Sequence, residues 1–510
     1  MTTGQHAAAG TVLKAASVSF AGQLYQLIIS LISGLVIARL IGPAPFGLFN
    51  LARTLCESTV LVTKVGFDVA IVRYLGERTG QLADAETVAV CRRVLLAVGV
   101  TSLIPIALVV AGGGAWLEQR VYPYEQFALV LAAMSLVIPF MSLLQVLGGI
   151  FRGFLRIAPR VIAELCAQPT LRLLTFLALF LIGWRLWAVV WATVASFLVA
   201  AVILLIWAFR GILRNPSESP PVTRGLWRKV TSVARYSVVI SATVLMATLM
   251  SRMDVMLLGY FVSAESLGQY AIAQMIAGLL ATFNIALSQA AAPMIADLGK
   301  RGVRSELATV LHQHARWVLA TTLPLFFVLV LYGDALLPVL GQSYVSDVPI
   351  LSVLALSQLA TALFSSAGYT LSMTGRHTAE FYVMAIGAAA TLALNLLLIP
   401  RQGLLGAAVA TLCGVLVANG LRAVLVARVY GVFPVGRDAL RSAVVCIVVF
   451  MGLFWLQKQL DASIGPAGAL AWIGMSLVAY VAAMLAFGLT AGDRNLLIGL
   501  VSRIRATSRQ

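Results

Sequence analysis

The chain has 510 residues, of which 61% are hydrophobic and 11% charged, with a mean hydropathy of +0.97 and a formal net charge of +17. A water-soluble chain of this size could not hide so much apolar surface, so the composition excludes a soluble globular protein and points to an all-α polytopic membrane protein. The positive balance does not indicate a nucleic-acid partner, because its placement along the chain follows membrane topology.

At about 20 apolar residues per crossing, fourteen spans read along the chain. They cover 12–38, 46–72, 93–113, 126–148, 160–182, 186–208, 234–258, 270–294, 313–333, 348–370, 379–400, 404–427, 439–457 and 467–490. The first follows MTTGQHAAAGTVLKAASVSF with no short apolar core before a cleavage site, so it is expected to be retained. Of the 36 lysines and arginines, 26 fall in segments on the side of the termini, counting the span ends that border them. Five fall on the other side (Arg39, Arg120, Arg185, Arg401, Lys458), and five lie inside spans. That bias predicts a multi-pass protein with cytoplasmic termini.

The polar segment 210–235, containing NPSESPP, divides the chain. Gly42 and Gly259 are 217 residues apart; Leu181-Ile182 and Leu398-Ile399 are also 217 apart, and Ala192-Thr193 and Ala410-Thr411 are 218 apart. Pro43-Ala-Pro-Phe-Gly47-Leu-Phe49 has its counterpart at Leu267-Gly268-Gln269-Tyr270, four residues further along. The common offset predicts two parallel six-helix bundles, 1–209 and 236–428, joined by the 210–235 cytoplasmic linker. Residues 429–510 would add two helices and a basic cytoplasmic tail.

Chemistry is expected inside the spans. No GxxxxGK[ST], HExxH or strand-borne GxGxxG occurs, so no catalytic residue, cofactor or metal is assigned, and the chain reads as a transporter rather than an enzyme. His312 and His314 sit at a basic edge without cysteine or carboxylate company, which reads as a solvated face. The stretch 46–75 carries Arg53, Glu57, Lys64 and Asp68 within its apolar run. On one continuous helix these four would fall within about 60° of each other, in two i,i+4 pairs of opposite charge. An ionisable group in a membrane helix costs about 3 kcal/mol and faces a bundle interior or a wet cavity, so this stripe predicts a polar path, with packing ion pairs as the bland alternative. Arg172, Arg252 and Arg422 add cations within the fifth, seventh and twelfth spans. Arg53, Lys64, Arg172, Arg252 and Arg422 are therefore the candidate ligands for phosphate or carboxylate, and Glu57 and Asp68 the candidates for coupling to a proton or sodium gradient.

Three segments carry a resemblance: ARLIGPAPFGLFNLA (38–52) with the Gly66-Phe67-x-x-Ala-x-x-Arg73 ending, RYSVVISATVLMATLMSRMDVMLLGYFVSAESLGQYAIA (235–273), and NLLLIPRQGLLGAAVATL (395–412). With these the chain resembles the polysaccharide flippase/exporter branch of the multidrug/oligosaccharidyl-lipid/polysaccharide exporter superfamily. The resemblance implies a V-shaped pair of six-helix bundles in the bacterial inner (plasma) membrane, alternating access, and movement of polyprenyl-diphosphate-linked oligosaccharide from inner to outer leaflet for surface polysaccharide biosynthesis. The partners so implied are the lipid-linked oligosaccharide, the bilayer, an ion gradient, and polysaccharide polymerase and chain-length machinery. Two other readings stand beside it. One is a cation/drug antiporter of the same superfamily, which predicts an acidic, aromatic-lined cavity. The other is a polytopic glycan polymerase or ligase, against which the short outer loops count.

Overall fold

The computed structural model describes residues 3–64, 66–76, 85–213, 226–301, 303–339, 348–460 and 466–488. Every regular element among them is helical. A bilayer offers no partner for a backbone N–H or C=O, so the chain satisfies them within each helix. Among the described residues, eleven helices are long and apolar enough to cross a membrane. The helices depart from the fourteen expected spans in three places. The span expected at 46–72 is divided into α2 (Pro43–Thr63) and α3 (Phe67–Gly76). The one at 270–294 is divided into α12 (Ala264–Ala277) and α13 (Leu279–Arg301). The two expected at 379–400 and 404–427 run together as α17 (His377–Tyr430), 54 residues bent at Gly403, where φ is +57°.

The chain packs as two compact units, Met1–Met275 with Ala388–Ala410, and Ile276–Gly387 with Thr411–Gln510. The first unit contains α1 (Thr3–Ile41), α2, α3, α4 (Ala85–Leu108) and α5 (Gly114–Arg120), followed by α6 (Phe127–Ser135), α7 (Val137–Gly153) and α8 (Ile157–Arg160). It continues with α9 (Gln168–Leu181), α10 (Arg185–Ala208) and α11 (Leu226–Phe261), which starts within the 210–235 segment and packs here on α2 and α3. The core of this unit is built from Ile71, Val94, Leu147, Ile150, Ala200 and Leu204 on α3, α4, α7 and α10. On α4 the residues Leu96, Val100, Leu103 and Ile104 are exposed, an apolar face that suits lipid as its solvent.

Helices α2 and α12 meet backbone to backbone. A Cβ at Gly47 would lie 2.1 Å from the Ala264 carbonyl oxygen, and one at Gly268 would lie 1.9 Å from that of Pro43. No residue but glycine fits such a crossing without moving a helix.

The second unit contains α13, α14 (Arg304–Leu331), α15 (Gly333–Leu336) and α16 (Val348–Met373), then α18 (Arg437–Gln459) and α19 (Pro466–Ala483), with both ends of α17. Helix α14 packs on α13, α16 and α18. Leu311, Leu371 and Val426 form one core cluster, and Tyr332, Cys446, Phe450 and Tyr480 another.

Candidate functional site

The charged stripe is not a single ladder. Helix α2 ends at Thr63, Gly66 takes φ +72°, and α3 starts anew at Phe67. The break is held by local bonds: Phe67 N–H donates to the Lys64 carbonyl (2.8 Å), and Thr101 Oγ1 donates to the Thr63 carbonyl (2.8 Å). The freed backbone therefore stays satisfied inside the unit. The four charges separate into two sites.

The first is an arginine cluster. Glu57 Oε1 accepts from Arg53 Nε at 2.6 Å, while Oε2 lies 3.5 Å from Arg252 Nη2 on α11. Arg172 on α9 lies within electrostatic reach of both Glu57 and Arg53. It is 6% exposed, and its Nε is buried without a partner. Two guanidiniums thus hold one carboxylate with a third within electrostatic reach, so the cluster carries a net charge of +2. Two residues along the helix Asp254 points away from Arg252, as the helical period requires. Fully buried, it accepts from Tyr270 Oη (2.6 Å), Gln274 Nε2 (3.1 Å) and the Val255 N–H (2.8 Å). Arg252 and Asp254 are neighbours in sequence but not partners; the structure gives Arg252 to Glu57.

The second site lies at the helix break. Lys64 Nζ donates to Asp68 Oδ2 and to Gln145 Oε1, each at 2.8 Å. Arg152 Nη2 reaches the Asp68 carbonyl at 3.5 Å, and Arg160 Nε donates to Glu164 Oε2 at 2.7 Å. Asp68 Oδ1 and Arg152 Nε are buried without partners. Lys64, Arg152 and Arg160 against Asp68 and Glu164 leave a net charge of +1.

Arg422 belongs to the second unit. Its guanidinium makes a fork with Glu380, in which Nε lies 3.0 Å from Oε1 and Nη2 also donates to Oε1. Nη1 donates to Asn419 Oδ1 at 2.9 Å. A fully engaged guanidinium joins the two ends of α17 and leaves no nitrogen directed at a ligand. Glu380 was not legible as its partner because it lies 42 residues away, at the polar start of the helix. His314 is also unlike its expectation. It does not lie on a solvated face but is buried, 5% exposed, between α13 and α14.

Outside the spans, Tyr124 in the 121–126 connection donates to the carbonyls of Gly259 (2.7 Å) and Val262 (2.6 Å), closing the end of α11. Burial pushes its hydroxyl up to about 12.

Comparison with known proteins is consistent with this architecture. Residues 12–298, more than half of the chain, match the family described as polysaccharide biosynthesis protein. The probable low-salt glycan biosynthesis flippase Agl15 of Haloferax volcanii is 23% identical over 384 residues, 73% of this chain and 75% of that one. The probable flippase AglR of the same organism is 23% identical over 450 residues, 86% of this chain and 89% of its own. A solved structure of the lipid II flippase MurJ in an inward closed conformation superposes with a TM-score of 0.72 at 12% identity, covering 94% of this chain and 100% of that chain. The last likeness is one of fold.

Proposed function

The chain belongs to the polysaccharide biosynthesis protein family, and from that premise we propose that it is a flippase for a polyprenyl-diphosphate-linked oligosaccharide. The observation that carries this reading is the arginine cluster. Arg53 and Arg252 hold one carboxylate inside a membrane-spanning unit, and Arg172, within electrostatic reach of it, keeps a buried guanidinium nitrogen unpartnered. Guanidiniums recognise phosphate oxygens through paired, charge-assisted hydrogen bonds, and in a low-dielectric setting those bonds are strong. A diphosphate would enter by displacing Glu57 from Arg53 and Arg252 and engaging Arg172, while the polyprenyl tail remains in the bilayer. Lys64 would offer a second, weaker contact at the helix break.

Glu57 and Asp68 serve as the coupling carboxylates in this reading. Each is held by a cation in the present conformation, and each would become available to a proton or sodium ion once an anion takes over that cation. The membrane potential, about 2.3 kcal/mol per charge per 100 mV, is then a driving force for the cycle. The Lys/Arg bias supports a plasma-membrane orientation with cytoplasmic termini, so transport runs from the inner to the outer leaflet. A cation/drug antiporter needs net negative charge where this chain has +2.

Deletion of the gene tests the proposal. Lipid-linked oligosaccharide should accumulate on the cytoplasmic leaflet, protected from an externally added glycosidase. Normal appearance of the glycan at the outer leaflet would refute the assignment.

A further inference from the structure

His314 is a buried titratable group that the proposed arginine site does not use. Ser288 Oγ on α13 donates to Asn284 Oδ1 at 3.2 Å and lies 3.0 Å from His314 Nε2. With its hydrogen committed to Asn284, Ser288 can only accept from the ring, so the imidazole carries its proton on Nε2. That tautomer leaves the Nδ1 lone pair bare, and Nδ1 is buried with no partner. A bare basic nitrogen inside a membrane helix loses hydrogen-bond energy with no structural return, which marks it for explanation.

His314 is 5% exposed, and the charged and titratable groups of the elements around it are these. On α13, Asp297 and Arg301 pair with each other at 3.0 Å. Helix α16 has no charged residue, and Tyr369 is its one ionisable group. On α17, Glu380 and Arg422 are paired. On α18, Arg437 and Asp438 line a cavity of about 530 Å³ together with His312, while Arg441, Cys446 and Lys458 complete its ionisable groups. Asp334 is the charged residue of α15, and on α19 Tyr480 donates to the Ala320 carbonyl at 2.8 Å. Arg304, Glu306, His312 and Arg316 are the other charged or titratable groups of α14 itself.

We propose that His314 Nδ1 is a proton-binding site of the transport cycle. The conformation described here is its deprotonated, neutral state. In the alternate conformation the seam between α13 and α14 opens to water, Nδ1 takes one proton from hydronium, and the ring becomes a cation that must keep its new N–H solvated. Returning the proton to water on the other side allows the seam to close on a neutral ring. Histidine suits this task because its ordinary titration falls near physiological pH. This site lies in the second unit, so its coupling role is additional to that of Glu57 and Asp68; only the transport arm of its test rests on the flippase reading.

Two measurements on the full chain in lipid bilayers test the proposal. The first is flipping of a polyprenyl diphosphate bearing a fluorescent oligosaccharide in proteoliposomes with an imposed pH gradient. One coupled proton changes the limiting transbilayer ratio about tenfold per pH unit. Wild-type protein should show at least that dependence, while H314Q, whose amide can still donate to Ser288, should flip with a response about tenfold smaller per pH unit. A gradient response in H314Q equal to wild type would overturn the proposal. The second is nitrogen-15 NMR of histidine-labelled protein, with H314Q identifying the His314 signals. Nδ1 should be unprotonated at pH 7.5 and become protonated on acidification. A proton on Nδ1 at pH 7.5, or a ring that stays neutral down to pH 4, would overturn it. If wild-type protein fails to flip the probe, the flippase reading falls, and the NMR titration still decides the proton site.

Discussion

Replacing Arg172 with glutamine should damage transport without damaging the protein, an opposition of signs that loss of a packing residue would not produce. Arg172 is buried, its Nε has no partner, and its only described interactions are electrostatic, attraction to Glu57 and repulsion from Arg53. Removing it therefore breaks no hydrogen bond of the resting state. It also relieves a desolvated cation, whose effective cost in proteins is several kcal/mol. Setting that relief against the lost attraction to Glu57, R172Q should be neutral or more stable by about 1–2 kcal/mol. In the bound state the guanidinium would supply one charge-assisted contact to phosphate, about 1.5–3 kcal/mol. Affinity for a polyprenyl-diphosphate oligosaccharide should accordingly fall by about 10- to 150-fold. Thermal unfolding in detergent, run beside binding measured by quenching of a labelled ligand, reads both quantities. A lower Tm with unchanged affinity would refute the reasoning, because it would make Arg172 a packing residue.

Exchanging the first charge pair, R53E with E57R, keeps its i,i+4 complementarity but removes the carboxylate from Arg252; transport should be lost while folded yield remains, and preserved transport would mean that the pair only locks packing. E380Q should strand Arg422 as an uncompensated buried charge at a cost of about 3–5 kcal/mol, seen as a lower Tm, with E380L/R422M recovering most of the loss. Tyr124 provides a pH prediction. Its folded value is raised from 10 to about 12, so its contribution to stability is complete below pH 10 and declines as pH rises from 10 to 12. The Tm of wild type should fall more steeply than that of Y124F across that window; identical slopes would show that the hydroxyl is not the group lost.

The membrane class was legible because hydropathy and the Lys/Arg bias are properties of composition and order, independent of tertiary packing. The charge pairs Arg53–Glu57 and Lys64–Asp68 were legible for the same reason, since i,i+4 proximity needs only a local helix. The break between them was not, because glycine is common in membrane helices and nothing in the sequence distinguishes Gly66 at positive φ from its neighbours. The partners of Glu57 and Arg422 required three-dimensional packing, because Arg252 and Glu380 are remote from them in sequence. His314 was hidden by the basic residues around it. Alternation on a helix places His312 toward the polar edge and the residue two further along toward the core.

The crossing at Gly47 and Gly268 has a symmetry of its own. Gly47 meets the carbonyl of Ala264, and Gly268 meets the carbonyl of Pro43. Pro43 to Ala264 and Gly47 to Gly268 are both separations of 221 residues. Residue i touches j′ while j touches i′, which is the signature of an isologous, two-fold interface. Had a single half been encoded alone, two copies could have joined through this same glycine patch, each lending its carbonyl to the other's missing side chain. Inside this one chain the two glycines make a reciprocal contact of the kind a homodimer makes, and a mutation at either glycine strikes one half of it while leaving the other in place.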